Sequence, residues 1–348
     1  MLGLLGVGDL RSKIGQDGGK SSGRNLGGDG ARDKALKVVA KQVREGTGSL
    51  GNGSLKGMKI LVTGGSGRLG KYVMEELAAA GHWAINVDKN PGESRRWGNY
   101  IGVDLSNAGQ IYDVMLEVKP DAVVHLAADP RAGYVPRNHQ FVSNVGMTHS
   151  VMMAAGDLGV RRIVYASSEQ ANGWSSGNLC PPRFPFGEED MTRPRSAYAL
   201  SKLMGEEIAE SIVATYPETS AVSLRINFIT VPSDSEWISK RAEHWPGGHT
   251  NLWAYLDARD AATAFRLAVE APREVLGHGH RAYMVAAADN LTTFETRDAI
   301  SRFFGPEIEV SPELDVFGST VDCARITKDL GWRPVHSWRN ALSPQSVE

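Results

Sequence analysis

From Met58 onward the chain alternates short apolar runs with helical patterns, and this alternation restricts the possible folds more than any other feature. Lys59 to Val62 is a strand-like run that ends in glycines, and an amphipathic helix from about Arg68 to Ala80 follows it. Trp83 to Val87 reads as a second strand, and a third precedes Asp104. Ala122 to Leu126 follows a helix at about Gly109 to Val118, and Arg162 to Ala166 follows one at roughly Thr148 to Leu158. Ala221 to Ile226 closes the series after the helix that carries Tyr198 and Lys202. Strands this continuously apolar must be covered on both faces, so the repeated units imply an α/β fold with a doubly wound parallel sheet.

The regularity weakens beyond about Pro232. A Trp, Pro and Gly-rich stretch from Trp237 to Trp253 precedes a helix at Ala258 to Glu270. Residues 58–235, with 254–271 returning to them, are expected to form a Rossmann nucleotide-binding domain. Residues 236–253 and 272–348, with the loop from Trp174 to Arg195, are expected to form a smaller C-terminal substrate lobe.

Residues 1–57 differ in kind. They hold 15 of the 39 glycines and no aromatic residue, and carry a net +5 against −7 for the remainder. Such sequence buries too little surface to offset its ordering entropy, so a disordered basic tail is expected, apart from a short helix around Asp33 to Glu45. A basic interaction arm is the alternative. The overall charge of −2 gives no basic footprint for nucleic acid, and no run approaches the roughly 18 apolar residues of a membrane span. Cys180 and Cys323 stand far apart and match no metal-ligand spacing, which fits a reducing cytoplasm. The close histidine pairs, His278 with His280 and His244 with His249, lack Cys or carboxylate company, so no metal is expected.

The turn Thr63-Gly-Gly-Ser-Gly-Arg-Leu-Gly70 joins the first strand to the first helix. Gly64, Gly67 and Gly70 permit a tight turn, close approach of a pyrophosphate, and close helix-to-strand packing. Arg68 and Leu69 complete the turn. Asp88, 18 residues after Gly70, ends the second strand, where a carboxylate accepts hydrogen bonds from an adenosine ribose and repels a 2′-phosphate. NAD is thus favoured over NADP, although Lys89, Arg95 and Arg96 lie close by. Asp104 and Leu105, after the third strand, border the adenine on one reading and form an ordinary turn on the other.

Tyr198 and Lys202 share one helix face by their four-residue spacing. A cation beside a phenol favours the phenolate, which makes the pair a device for taking a proton from a hydroxyl. On a surface helix the same spacing is an ordinary solvated pair, so its meaning depends on the surrounding motifs.

Taken together, Thr63 to Gly70, Asp88, Asp104-Leu105, His125-Leu-Ala-Ala128, Asn144, Ser167-Ser168 and Tyr198 with Lys202 resemble the extended short-chain dehydrogenase/reductase family. This is the group of NAD-dependent sugar epimerases, dehydratases and dehydrogenases. The resemblance spans about Met58 to Asn340, including Leu330-Gly-Trp-Arg-Pro334. It implies Tyr198 as acid/base and Lys202 as its partner on the nicotinamide ribose. It implies Ser168 as hydrogen-bond donor to the reacting oxygen, and Asn144, at the mouth of a helix, and Ala127 as cofactor contacts. It also implies a sugar or sugar-acid substrate and a homodimer through paired helices.

Departures from the better-known branches bear on the reaction. Nucleotide-sugar epimerases follow the strand after the catalytic helix with Arg-x-Phe-Asn; here the run is Leu224-Arg-Ile-Asn-Phe228, with asparagine one place early. Neighbouring strand residues face opposite ways, which puts the diphosphate-binding role of Asn227 in doubt. Dehydratases place Asp-Glu after the serine or threonine, whereas this chain has Glu169-Gln170, candidate substrate contacts that supply only one carboxylate. The segment Ala166 to Gly173, with Arg225 and Asp260, looks more like the uronate and aldose dehydrogenase branch. There the arginine matching Arg225 grips an anionic or polyhydroxy substrate; a structural salt bridge is the alternative. Arg131 is a second anion-binding candidate. The expected reaction is hydride transfer between NAD and a sugar carbinol, with net oxidation preferred, epimerisation as the alternative, and a non-catalytic dinucleotide-binding regulator as the reading from another class.

Overall fold

The computed structural model describes residues 57–92, 99–130, 135–175, 179–244, 248–277 and 279–341. The expected tail except its last residue, its helix at Asp33 to Glu45, and Arg95, Arg96, Arg131 and His278 lie outside the described residues.

Eleven strands occur among them: β1 (Lys59–Thr63), β2 (Trp83–Asp88), β3 (Tyr100–Gly102), β4 (Ala122–His125), β5 (Arg162–Ser168), β6 (Arg183–Phe184), β7 (Ser220–Ile226), β8 (Ile229–Thr230), β9 (Leu256–Asp257), β10 (His280–Val285) and β11 (Glu309–Val310). Seven form one parallel sheet in the order β10-β7-β5-β4-β1-β2-β3. The order turns back at β1, with β2 and β3 on one side and β4, β5, β7 and β10 on the other. This reversal leaves a crevice at the carboxyl ends of the strands.

The α-helices are α1 (Gly70–Ala79), α2 (Ala108–Val118), α3 (Arg137–Asp157), α4 (Ala197–Thr215), α5 (Ser235–Glu243), α6 (Ala258–Glu270), α7 (Arg273–Leu276), α8 (Thr296–Phe304) and α9 (Ala324–Leu330). Alternate strand residues serve opposite layers. Ile60, Val62, Val124, Val164 and Leu224 pack against Val73 and Leu77 of α1 and Ala261, Phe265 and Ala268 of α6. Leu61, Val123 and Ile163 pack against Ile111 and Met115 of α2, Val151 and Met152 of α3, and Ile212 of α4. The expected doubly wound sheet is therefore present, covered on both faces.

A smaller set of elements stands over one end of the sheet. The pair β6 and β11 packs Phe184 and Phe186 with Trp253, Ala299 and Ile300, and α5 buries Ile238 and Ala242 against Tyr255, Leu291 and Trp338. The chain's last described segment is tied back to α6. The Asp260 carboxylate accepts from the backbone N–H groups of Val335 (3.1 Å) and His336 (2.9 Å), and the Trp332 indole donates to the Asp260 carbonyl (2.9 Å).

One element is longer than its sequence pattern indicates. The helix expected at Thr148 to Leu158 begins at Arg137, and its earlier turns carry no apolar signal because their inward positions are Gln140, Asn144 and Thr148. These are buried through hydrogen bonds rather than apolar contact. Among the described residues no helix is long and apolar enough to cross a membrane, and no group of three His, Cys, Asp or Glu residues could hold a metal ion.

Candidate active site

The glycine turn is shaped by close backbone approaches. A Cβ at Gly70 would stand 2.3 Å from the Gly64 carbonyl oxygen, and one at Gly64, whose φ is +73°, would stand 2.8 Å from the Ala127 nitrogen. Any side chain at either position would force the backbone apart. The turn thus brings the end of β4 and the start of α1 together, and helix geometry leaves the first N–H groups of α1 without intrahelical acceptors. A cradle with no Cβ at the head of a helix fits the pyrophosphate of NAD.

The other expected cofactor residues fall into two groups. Asp88 ends β2 next to the turn, where its carboxylate accepts from the Asn90 N–H (3.1 Å) and its carbonyl from the Tyr100 hydroxyl (3.1 Å). The Asp104 carboxylate is engaged by Ser106, through N–H (3.0 Å) and hydroxyl (2.7 Å), which holds its pKa below the ordinary carboxylate range. Leu105 points into the layer beneath α2. Asp104 and Leu105 thus have protein partners of their own, and Asp88 stands at the crevice. Asn144 lies two turns inside α3 rather than at its mouth. Its amide accepts from the Asp129 N–H (2.8 Å) and donates to the Asp129 carbonyl (3.1 Å) and to the Ser201 hydroxyl (3.3 Å), so it fixes the exit of β4 against α4.

Ser196 starts α4 by accepting the Ala199 N–H (3.0 Å), which sets Tyr198 in the first turn. Ser168 ends β5, in register with Ile226 of β7, and its oxygen accepts the Gln170 N–H (3.2 Å). Ser168 and the Tyr198 phenol lie within hydrogen-bonding reach. Lys202 is buried; its ammonium donates to the Ala166 carbonyl (2.7 Å) and lies 5.6 Å from the centre of the Tyr198 ring. The structure therefore brings Ser168, Tyr198 and Lys202 together at the carboxyl ends of β4 and β5.

The electrostatics differ from the simple expectation that lysine lowers the phenol pKa. Burial, then the charge of Glu169, push Tyr198 above the ordinary phenol value, while the Ser168 hydrogen bond works in the other direction. Burial lowers Lys202 to about 7, and Glu206 opposes that shift. Glu169 is itself buried and rises to about 8, with the Ser175 hydroxyl (3.0 Å) as its hydrogen-bond donor. Gln170 follows it, half-buried, in a short 3-10 turn. A phenol and a carboxyl that both favour their protonated forms stand beside an ammonium that releases its proton near neutrality.

Arg225 does not join this cluster. Its guanidinium grips Glu206 with Nε–Oε1 at 3.0 Å and Nη2–Oε2 at 2.7 Å, and donates to the Glu188 carbonyl (3.0 Å). The Ser167 hydroxyl also donates to Glu206, at 2.5 Å. Asn227 is likewise turned away, donating to the Val285 carbonyl (3.1 Å) at the end of β10. Sequence reasoning passed over Glu206, although it follows Lys202 by the same four residues that separate Lys202 from Tyr198. It also passed over Phe228, Trp237 and Arg241, which group beyond β7 with Arg241 5.2 Å from the Phe228 ring and 5.6 Å from the Trp237 ring. No local pattern announces that group, since Phe228 and α5 meet only in the folded chain.

A model of the NAD dependent epimerase/dehydratase family matches residues 60–286. UDP-glucose 4-epimerase 2 of Oryza sativa subsp. japonica is 29% identical over 182 residues, covering 48% of this chain and 43% of that enzyme. The match thus spans less than half the length of the rice protein. The NAD-dependent glucose-6-phosphate dehydrogenase of Haloferax volcanii is 24% identical over 225 residues, covering 61% of this chain and 80% of that enzyme. Among solved structures, UDP-glucose 4-epimerase from Brucella ovis in complex with NAD superposes with a TM-score of 0.62 at 22% identity, covering 80% of this chain and 94% of that one. The last likeness is one of fold.

Proposed function

The chain belongs to the NAD-dependent epimerase/dehydratase family, and from that premise we propose that it epimerises a carbinol centre of a sugar or nucleotide sugar. The observation that carries this reading is the meeting of Ser168, Tyr198 and Lys202 beside the glycine cradle. NAD would be held by the backbone of the turn from Gly64 to Gly70, with Asp88 at its ribose, and would supply the hydride acceptor and donor. Tyr198 takes the carbinol proton as a phenolate and returns it as a phenol. Ser168 hydrogen-bonds the substrate oxygen while that oxygen becomes a carbonyl. Lys202, where charged, stands beside the ring and favours the phenolate that burial disfavours.

The expectation of net oxidation drew on Arg225 as an anion grip, and the engagement of that guanidinium by Glu206 and Glu188 removes this support. Likeness to epimerases favours the closed cycle, in which hydride returns to the opposite face of the same carbon. Net oxidation is the second reading, supported by likeness to the Haloferax enzyme over most of its length. Incubation with NAD and a panel of aldoses, uronates, sugar phosphates and nucleotide sugars separates the two. An isomerised sugar without NADH is the expected result, and accumulating NADH overturns it in favour of a dehydrogenase. A homodimer is part of the proposal, supported by exposed Val142 on α3 and Leu200 on α4, two helices that pack together. Light scattering on the purified chain reads its mass.

A further inference from the structure

Arg68 belongs to the glycine turn, yet its side chain leaves the turn altogether. Its guanidinium donates to the Asp234 carboxylate and to the Ile229 carbonyl (3.4 Å). Asp234 is held for this contact, because the same carboxylate accepts the Val231 N–H (2.9 Å) and the Asp234 N–H returns to the Val231 carbonyl (2.9 Å). The two anchors follow different strands: the turn follows β1, whereas Asp234 lies beyond β7 and β8. In the sheet, β4 and β5 stand between β1 and β7, so three inter-strand spacings, roughly 14 Å, separate the roots of the two segments. The ion pair joins the two sides of the crevice next to the head of α1, where the pyrophosphate cradle opens. The Arg68 side chain is 54% exposed, which places the bridge on the solvent side.

We propose that Arg68 and Asp234 form a clasp across the mouth of the dinucleotide crevice and that this clasp slows the departure of NAD. Neither side chain reacts; both are positioning residues that act by joining the glycine turn to the segment after β8. Retention suits the proposed closed cycle, in which one bound cofactor serves turnover after turnover, and the clasp deepens that reading. A strict dehydrogenase must exchange its cofactor at every turnover and gains nothing from such a bridge.

The test is the release rate of NADH from the full-length protein, followed by loss of its fluorescence after mixing with excess NAD. Arg68→Ala and Asp234→Ala should each speed release by roughly two- to fivefold, the upper range for an exposed ion pair, and the double variant should be no faster than either. In the wild type, release should quicken with added sodium chloride, and in Asp234→Ala this salt dependence should shrink. The exchange Arg68→Asp with Asp234→Arg should restore slow release. Wild-type release in Asp234→Ala overturns the clasp, as does acceleration in Arg68→Ala alone, which would mean that Arg68 acts on the cofactor directly. Release is measured without substrate, so failure of every sugar to react would sink the proposed reaction and leave the clasp to stand or fall by these rates.

Discussion

The two sides of the crevice are built by different means. On the β1 side the working surface is backbone, shaped by glycines that remove side chains where strand, turn and helix approach. On the β5 side it is side chain: Ser168, Tyr198 and Lys202 rest on a buried polar layer of His125, Asn144, Glu206 and Arg225. Thr63 and Thr148 hold His125 at 2.7 and 3.1 Å, and burial keeps its imidazole neutral, with a pKa of about 3. A backbone-built surface fails when an atom is added. A side-chain-built surface fails when one is removed.

The sharpest test of that contrast removes one oxygen. Tyr198→Phe should lower turnover by about 10²- to 10⁴-fold while NADH titration shows retained binding, and near-normal turnover would end its role as acid/base. Arg225→Ala should cost about 3–5 kcal/mol of unfolding free energy, because it leaves Glu206 buried without its partner. Replacing both, with Arg225→Met and Glu206→Leu, should be milder in the same denaturant titration, and equal losses would mean that the charges themselves contribute little. On the opposite side, Gly70→Ala adds one methyl against the Gly64 carbonyl. Overpacking of about 1–3 kcal/mol predicts roughly ten- to hundredfold weaker NADH binding, and an unchanged Kd would break the backbone account.

A pH-dependent effect concerns Glu169. Its carboxyl is protonated in both states below the ordinary value near 4.5, and between there and about 8 only the unfolded chain releases the proton. Stability should therefore fall as pH rises through that window, by about 1 kcal/mol per unit. Glu169→Gln should flatten the slope in urea unfolding at pH 5 and pH 8; parallel slopes in both proteins would place the pH dependence elsewhere.

The same contrast explains what could be read in advance. The glycine turn, Asp88 and the apolar strands are local patterns, and the sheet follows them closely. The shared face of Tyr198 and Lys202 was legible from spacing because one helix carries both, and its meaning from the motifs around it. The first half of α3 was hidden because its inward residues are amides and a hydroxyl whose partners lie elsewhere in the chain. β10 was hidden as well, since its opening His280 and Arg281 carry no apolar signal and only its last three residues are buried. The fate of Arg225 depended on Glu206, Glu188 and the loop beyond β5 meeting in space, and sequence order alone does not bring them together.

The place of β1 in the middle of the sheet has a consequence for biosynthesis. Its first neighbour on one side, β4, lies about sixty residues downstream, an interval of some 3 to 12 seconds at ribosomal speeds of 5–20 residues per second. Throughout that interval the Ile60-Leu-Val62 run has one edge open for any other strand to pair with, and β7 gains its outer neighbour β10 only when residue 285 has emerged. The strand that carries the cofactor turn thus waits longer for its second neighbour than β5 or β7 waits for its own.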